Sequence, residues 1–260
     1  MQDNKRRMPV LFAGHGSPMN AIEDNAFTRS WREIAALIPR PKAILSVSAH
    51  WYTRGTRTTD HERPETIYDM YGFPKALYEV KYRPNGNPAL ARDAASLLPK
   101  EVLIDNGWGI DHGTWSVLVH MYPDAEIPVV QLSIDRDAGP EAHYQLGRAL
   151  APLREEGVLL FGTGNVVHNL ARVNWNMQES GYPWADEFDL YIKRAVTDWR
   201  HDDAISYERA GTSASHAFHT PEHYYPLLYV LGAVQEGELV KVFNESRVLG
   251  SLSMTGYLIG

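Results

Sequence analysis

Pro9-Val10-Leu11-Phe12-Ala13-Gly14-His15-Gly16-Ser17-Pro18 is the stretch on which the fold turns. The run Pro9–Ala13 is apolar without alternation, as a strand buried on both faces requires. It stops at Gly14-His15-Gly16, where glycines let the backbone turn tightly and leave space beside the histidine. The pattern recurs: Ala43–Ser48 runs into Ala49-His50-Trp51, and Val158–Gly162 leads to Gly164-Asn165-Val166-Val167-His168-Asn169. Ile127–Ser133 reads as another buried strand, and Leu239–Phe243 and Ser251–Ile259 as two more. Helical patterns fall between them: Phe27–Leu37 after a capping Asn25, Asn87–Leu98 with Pro88 inside its start, Glu141–Arg154 and Ala185–Trp199. A further helix follows Thr220-Pro221-Glu222, with Thr as cap and Pro at the first helical position. This alternation predicts an α/β fold: a central, mostly parallel (mixed) sheet flanked by helices on both faces. With no repeat and no Pro/Gly linker, residues 1–260 are expected to form one domain. Tyr52–Pro84, rich in Pro, Gly, Tyr and charge, reads as a long excursion over the sheet edge, a usual place for a substrate lid.

Composition narrows the function. Hydrophobic residues are 44% and charged residues 22%, so the chain can build a core and is not of the disordered class. The net charge of −7 repels phosphate backbones, so no nucleic-acid partner is expected. Nothing approaches the roughly 18 apolar residues in a row that a membrane span needs. Met1–Arg7 is polar and lacks the features of a secretory signal, so a cytoplasmic location is expected. Cysteine is absent, which excludes disulfides, thiolate catalysis, iron–sulfur clusters and Cys-type zinc sites. Any metal must be held by His, Asp or Glu, and the chain has 11 His.

His15, His50 and His168 each stand just past a predicted strand. If the first two strands are parallel neighbours joined by the Phe27–Leu37 helix, their ends share the sheet edge where open α/β sheets place ligands. Strands about 4.8 Å apart let two imidazoles converge on one ion at roughly 2.1 Å. A lone histidine is more often a hydrogen-bonded turn residue; three past three strand ends favour a shared site. His223 falls in the first turn after Thr220, directly after Glu222. Consecutive helical residues point about 100° apart, so only one of that pair is expected to ligate. His112, in Asp111-His112-Gly113-Thr114-Trp115, begins a helix and either bonds a ligand or caps. His216 and His219 read as surface-loop residues, and His61, His120, His143 and His201 as structural or solvent-facing. There is no Gly-x-Ser-x-Gly, P-loop, dinucleotide glycine fingerprint or His-Glu-x-x-His, which argues against serine hydrolases, P-loop nucleotidases and zincins.

The five histidine motifs, Gly14–Pro18, Ser48–Trp51, Asp111–Trp115, Asn165–Asn169 and Thr220–Tyr224, together resemble those of the LigB-type (class III) extradiol ring-cleavage dioxygenases. The DOPA 4,5-dioxygenase branch of bacteria and pigment-forming plants is the nearest likeness. Tyr182-Pro183-Trp184-Ala185 and Gly250-Ser251-Leu252-Ser253-Met254 extend it over nearly the whole chain. The resemblance implies that His15 and His50 bind the metal, with His223 as third ligand where other members use a glutamate. It implies His168 as acid/base or fourth group at the metal, and His112 as the residue positioning oxygen or substrate. Ring-cleaving iron sites usually carry two His and one carboxylate; here the third group is His, with Glu222 beside it. Such a set also suits zinc, which cannot change redox state. The expected cofactor is therefore one divalent ion, Fe(II) for turnover, with Zn(II) bound as isolated. The expected partners are a small aromatic diol and O2, the expected reaction 4,5-cleavage of a catechol such as L-DOPA to a seco-DOPA semialdehyde, and the expected assembly a monomer or small homo-oligomer. Trp51, Tyr224 and Tyr225 neighbour the ligands and are candidates to line an aromatic pocket. Two other readings stand beside this one: a metal-binding scaffold of the same fold, which would need neither His168 nor His112, and a zinc hydrolase.

Overall fold

Buried strands of β-branched and aromatic residues alternate with amphipathic helices along the chain. The computed structural model describes residues 7–260, so the polar start at Met1–Arg6 lies outside the described residues. The strands are β1 (Val10–Gly14), β2 (Ala43–Thr53), β3 (Arg57–Thr58), β4 (Leu103–Ile104), β5 (Val129–Asp135), β6 (Val158–Gly164), β7 (Val240–Phe243), β8 (Arg247–Val248), β9 (Leu252–Ser253) and β10 (Gly256–Ile259). The helices are α1 (Ala26–Leu37), α2 (Lys75–Tyr78), α3 (Pro88–Leu97), α4 (His112–Met121), α5 (Pro140–Leu150), α6 (Pro183–Thr197), α7 (His201–Ile205), α8 (Thr212–Ala217) and α9 (Tyr225–Gly232). Eight strands form one sheet in the order β4-β3-β5-β2-β6-β1-β10-β7, and β8 pairs with β9 apart from it. The central run β5-β2-β6-β1 is parallel, while β10 and β7 close one side antiparallel and β3 meets β5 antiparallel.

Strand periodicity divides the apolar residues between two cores. Val10 and Phe12 of β1, Leu45 and Val47 of β2, and Leu160 of β6 face one layer, which α3, α5, α6 and α9 cover. Leu11 and Ala13, Ile44, and Leu159 and Phe161 face the other, which α1 and α4 cover through Trp31, Ile34, Trp115 and Leu118. The expected α/β fold, a mixed sheet flanked on both faces, is thus what the chain forms. Asn25 caps α1 in a reciprocal pair with Thr28, and Asn87 caps α3 with Pro88 directly after it. Among the described residues no helix is long and apolar enough to cross a membrane.

Several expectations need correction. β1 and β2 are not neighbours, because β6 lies between them. β2 does not end at Ser48: it continues to Thr53 through a register shift between Val47 and Tyr52, so His50 lies within the strand. The stretch around His216 is not a loop but α8, where His216 is half-buried against Trp184; His219 is exposed. Thr220 precedes a 3-10 turn, Pro221–His223, without a side-chain capping bond, and α9 begins only at Tyr225. The final segment splits into β9 and β10.

Candidate metal centre

The site forms at the C-terminal ends of β1, β2 and β6. His15 follows β1, and its backbone N–H donates to the Gly164 carbonyl at 3.1 Å. Its Nδ1 lies 3.0 Å from Thr163 Oγ1, on the strand between β1 and β2. The Thr163 hydroxyl donates its one proton to the Gly113 carbonyl at 2.6 Å. It can therefore only accept from His15, which places the proton on Nδ1 and leaves Nε2 as a bare lone pair. His50 reaches the same place from β2, with Nε2 3.2 Å from His15 Nε2. It can do so because Gly113 has no side chain; a Cβ there would stand 2.7 Å from His50 Cδ2. The Nδ1 of His50 faces Asp69 Oδ2 at 3.1 Å, so its Nε2 also carries the lone pair.

His223 arrives from above β6. Gly162 and Gly164 clear a path for the backbone of residues 221–226: a Cβ at Gly164 would lie 2.1 Å from the His223 carbonyl, and one at Gly162 2.6 Å from that of Pro226. The Asn165 N–H then donates to the His223 carbonyl at 2.8 Å. His223 Nδ1 faces Glu222 Oε1 at 3.1 Å, while its Nε2 is buried with no partner. The His223 ring centroid lies 5.4 Å from that of His15 and 5.0 Å from that of His50.

The other two histidines stand on either side. His112 opens α4, where Asp111 caps the helix. Its Nδ1 lies 3.0 Å from Asp69 Oδ2 and its ring 3.8 Å from that of His50. His168, held by its N–H on the Ala217 carbonyl at 2.8 Å, stacks on His223 at 3.5 Å and 6°. Two sets of mutually close ligand atoms result, His15/His50/His112 and His168/Glu222/His223. All five expected site histidines are brought together.

Burial disfavours the charged form of His15, His112, His168 and His223. Burial first, and then the neighbouring imidazoles, hold His15 and His223 well below the ordinary histidine value. The same causes lower His168 to about 3. Burial and His50 lower His112 against the pull of Asp69. Burial opposes ionisation of Asp69, but the close His112 and His50 imidazoles, at 3.0 and 3.1 Å, outweigh it and hold the carboxyl far below the carboxylate range.

These residues fit a metal ion. A buried nitrogen without a partner costs about 1–3 kcal/mol, and two bare lone pairs face each other between His15 and His50. A cation relieves both. Two nitrogens on one tetrahedral ion at roughly 2.1 Å lie about 3.4 Å apart, near the 3.2 Å separation of these two. His15, His50 and His223 are each backed by an oxygen on the other nitrogen, of Thr163, Asp69 and Glu222, which fixes the tautomer as metal-ligating histidines require.

The comparisons with known proteins decide the lineage. Residues 9–257 match the family described as the catalytic LigB subunit of aromatic ring-opening dioxygenase. The chain belongs to the LigB family. It is 50% identical over 261 residues to a 4,5-DOPA dioxygenase extradiol of Escherichia coli (strain K12), covering 98% of this chain and 95% of that one. It is 39% identical over 256 residues to the 4,5-DOPA dioxygenase extradiol of Beta vulgaris, with 95% of each covered. The crystal structure of an uncharacterized Escherichia coli K12 protein superimposes with a TM-score of 0.86 at 46% identity, covering 98% of this chain and all of that one.

Within this LigB chain, sequence reading missed the groups behind the imidazoles. Asp69 and Thr163 carry no motif of their own, and in the sequence Asp111 is only the start of the His112 motif, without a role of its own. Asp111 is fully buried and accepts from Ser48 Oγ and Gln131 Nε2, both at 2.7 Å, beneath the site. Glu222 does not face elsewhere: its Oε1 lies 3.1 Å from His223 Nδ1, and it is grouped with His168 and His223 among the possible donors. The candidate aromatic pocket is not made by Trp51, Tyr224 and Tyr225. Trp51 stacks on Trp108, Tyr224 donates to the Ala204 carbonyl inside a cluster with Tyr207 and Phe218, and Tyr225 packs on His143. All three are core residues.

Proposed function

We propose that this chain is an extradiol dioxygenase that opens a DOPA-type catechol with O2, by 4,5-cleavage, at a metal held by His15, His50 and His223. One observation carries the reading. Each of these rings has its Nδ1 committed to an oxygen, of Thr163, Asp69 and Glu222, which leaves three Nε2 lone pairs on rings 5.0 to 5.4 Å apart. The names of the similar proteins supply the substrate class.

Ferrous iron bound there would supply the redox link between a catechol and O2. The chain supplies the rest. His168, stacked on His223 and kept neutral by burial, is in the form that accepts a proton and stands where a catechol hydroxyl would give one up. His112, held by Asp69 on the opposite side of His50, orients the second reactant. Burial of His15, His112 and His223 keeps water from the reacting groups.

Oxygen uptake over a catechol panel, on protein loaded anaerobically with iron(II), tests this. Uptake with formation of a yellow product is expected with iron, and none with zinc. No uptake across the panel, with iron demonstrably bound, would move the reading to the metal-binding scaffold or the zinc hydrolase.

A further inference from the structure

His50 and His112 share one carboxylate, and it comes from the excursion that skirts the sheet edge. Asp69 lies between β3 and α2. Its Oδ2 stands 3.1 Å from His50 Nδ1 and 3.0 Å from His112 Nδ1, and its Oδ1 accepts the backbone N–H of His112 at 2.9 Å. The side chain is 13% exposed. The backbone just before it is pinned: Ile67 N–H donates to the Ile110 carbonyl at 2.7 Å, Ile110 N–H to that of Glu65 at 2.8 Å, and Trp115 Nε1 to that of Ile67 at 2.9 Å. Gly109 permits this approach, since a Cβ there would lie 2.2 Å from the Glu65 carbonyl. After Asp69 the chain runs out through Met70 to the exposed Tyr71 and Gly72.

We propose that Asp69 is a positioning residue that turns His50 Nε2 toward the metal position and couples the order of residues 59–74 to metal binding. An ionised carboxylate is only an acceptor, so each imidazole facing it must present an N–H. That fixes His50 with Nδ1 protonated and Nε2 bare, and holds His112 in the same sense. Without Asp69, His50 is free to flip its ring or move its proton, and both changes take the lone pair away from His15. The coupling follows by reciprocity. If the seated segment favours the metal-binding form of His50, bound metal favours the seated segment by the same factor. This rests on the reading of His50 as a ligand.

Three readouts test it on the full chain: metal affinity by competition with a chromogenic chelator, the visible spectrum of the cobalt(II) form, and the rate of chymotryptic cleavage at the exposed Tyr71 with and without metal. Asp69→Ala is expected to weaken metal binding about 10–100-fold, alter the cobalt spectrum and remove the protection that metal gives the segment. Asp69→Asn, which keeps the volume and one acceptor oxygen, should fall between it and the wild type. Tyr68→Phe, which removes a neighbouring bond to the Val80 carbonyl without touching a histidine, should match the wild type in all three. Wild-type affinity, spectrum and protection in both Asp69 variants would overturn the proposal. If His50→Ala loses metal in that case, the ligand reading stands and only Asp69 is excluded. If His50→Ala keeps full affinity, the ligand reading itself has failed and the proposal falls with it.

Discussion

His15 and His50 leave strands that never touch, yet their Nε2 atoms stand 3.2 Å apart. The strand between them, β6, makes the meeting possible. Its Thr163 anchors the far nitrogen of His15, and its flanking glycines admit His223 from the other layer. The centre is thus assembled across three strands around one Gly-Thr-Gly sequence.

The ligand set has a direct test. His15→Ala, His50→Ala and His223→Ala should each lose bound metal, while His112→Ala should keep most of it, by elemental analysis of purified protein. Full occupancy in His223→Ala with loss in His112→Ala would make His112 the third ligand, as the alternative grouping of donors allows.

His168 should separate chemistry from ligation. Loss of a positioned acid/base costs about 10²–10⁴ in rate. His168→Asn is therefore expected to retain metal and catechol binding while turnover falls by that range. Unchanged turnover removes the acid/base role; metal lost in step with activity makes His168 a fourth ligand.

Gly164→Ala should damage the centre without touching a histidine side chain. The new Cβ would meet the His223 carbonyl at 2.1 Å and push the turn off β6. Metal affinity and thermal stability should both drop. Gly139→Ala, where no atom lies within 4 Å of the new Cβ, should leave metal affinity as it was. Equal metal affinity in the two variants would show that the turn tolerates displacement.

His143 gives an acid-stability prediction away from the metal. It is buried, 4.2 Å from the Tyr225 ring and 3.2 Å from Tyr229 Oη, and burial lowers its pKa to about 4. Since the unfolded value of about 6.5 is higher, the unfolded chain binds more protons between the two. Stability therefore falls as pH drops through that window, by roughly 3 kcal/mol in full. Urea midpoints from pH 7 to pH 4 should fall less steeply for His143→Leu than for the wild type; parallel curves would show that His143 contributes nothing to acid lability.

The sequence by itself determined the elements and the chemistry available. Uninterrupted apolar runs such as Val158–Leu160, capped helix starts such as Asn25 and Asn87, and histidines just past strand ends are local signals, set by periodicity and by the partners a backbone needs within a few residues. They were enough for the α/β layering and for grouping His15, His50 and His168; His112 and His223 read as helix-start residues, and the resemblance implied their roles. Strand order was not legible, because an apolar run states that it is buried and not which run lies beside it. β6 between β1 and β2 was therefore unforeseen. Only the tertiary structure decided which nitrogen each ring presents, since that depends on Thr163, Asp69 and Glu222. Thr163 and Asp69 come from elements remote in sequence, and Glu222, though adjacent, could have turned either way until the fold placed it behind His223. The same holds for Trp51, Tyr224 and Tyr225: nearness to a ligand along the chain says nothing about direction, and the pleat and the turn aimed them into the core.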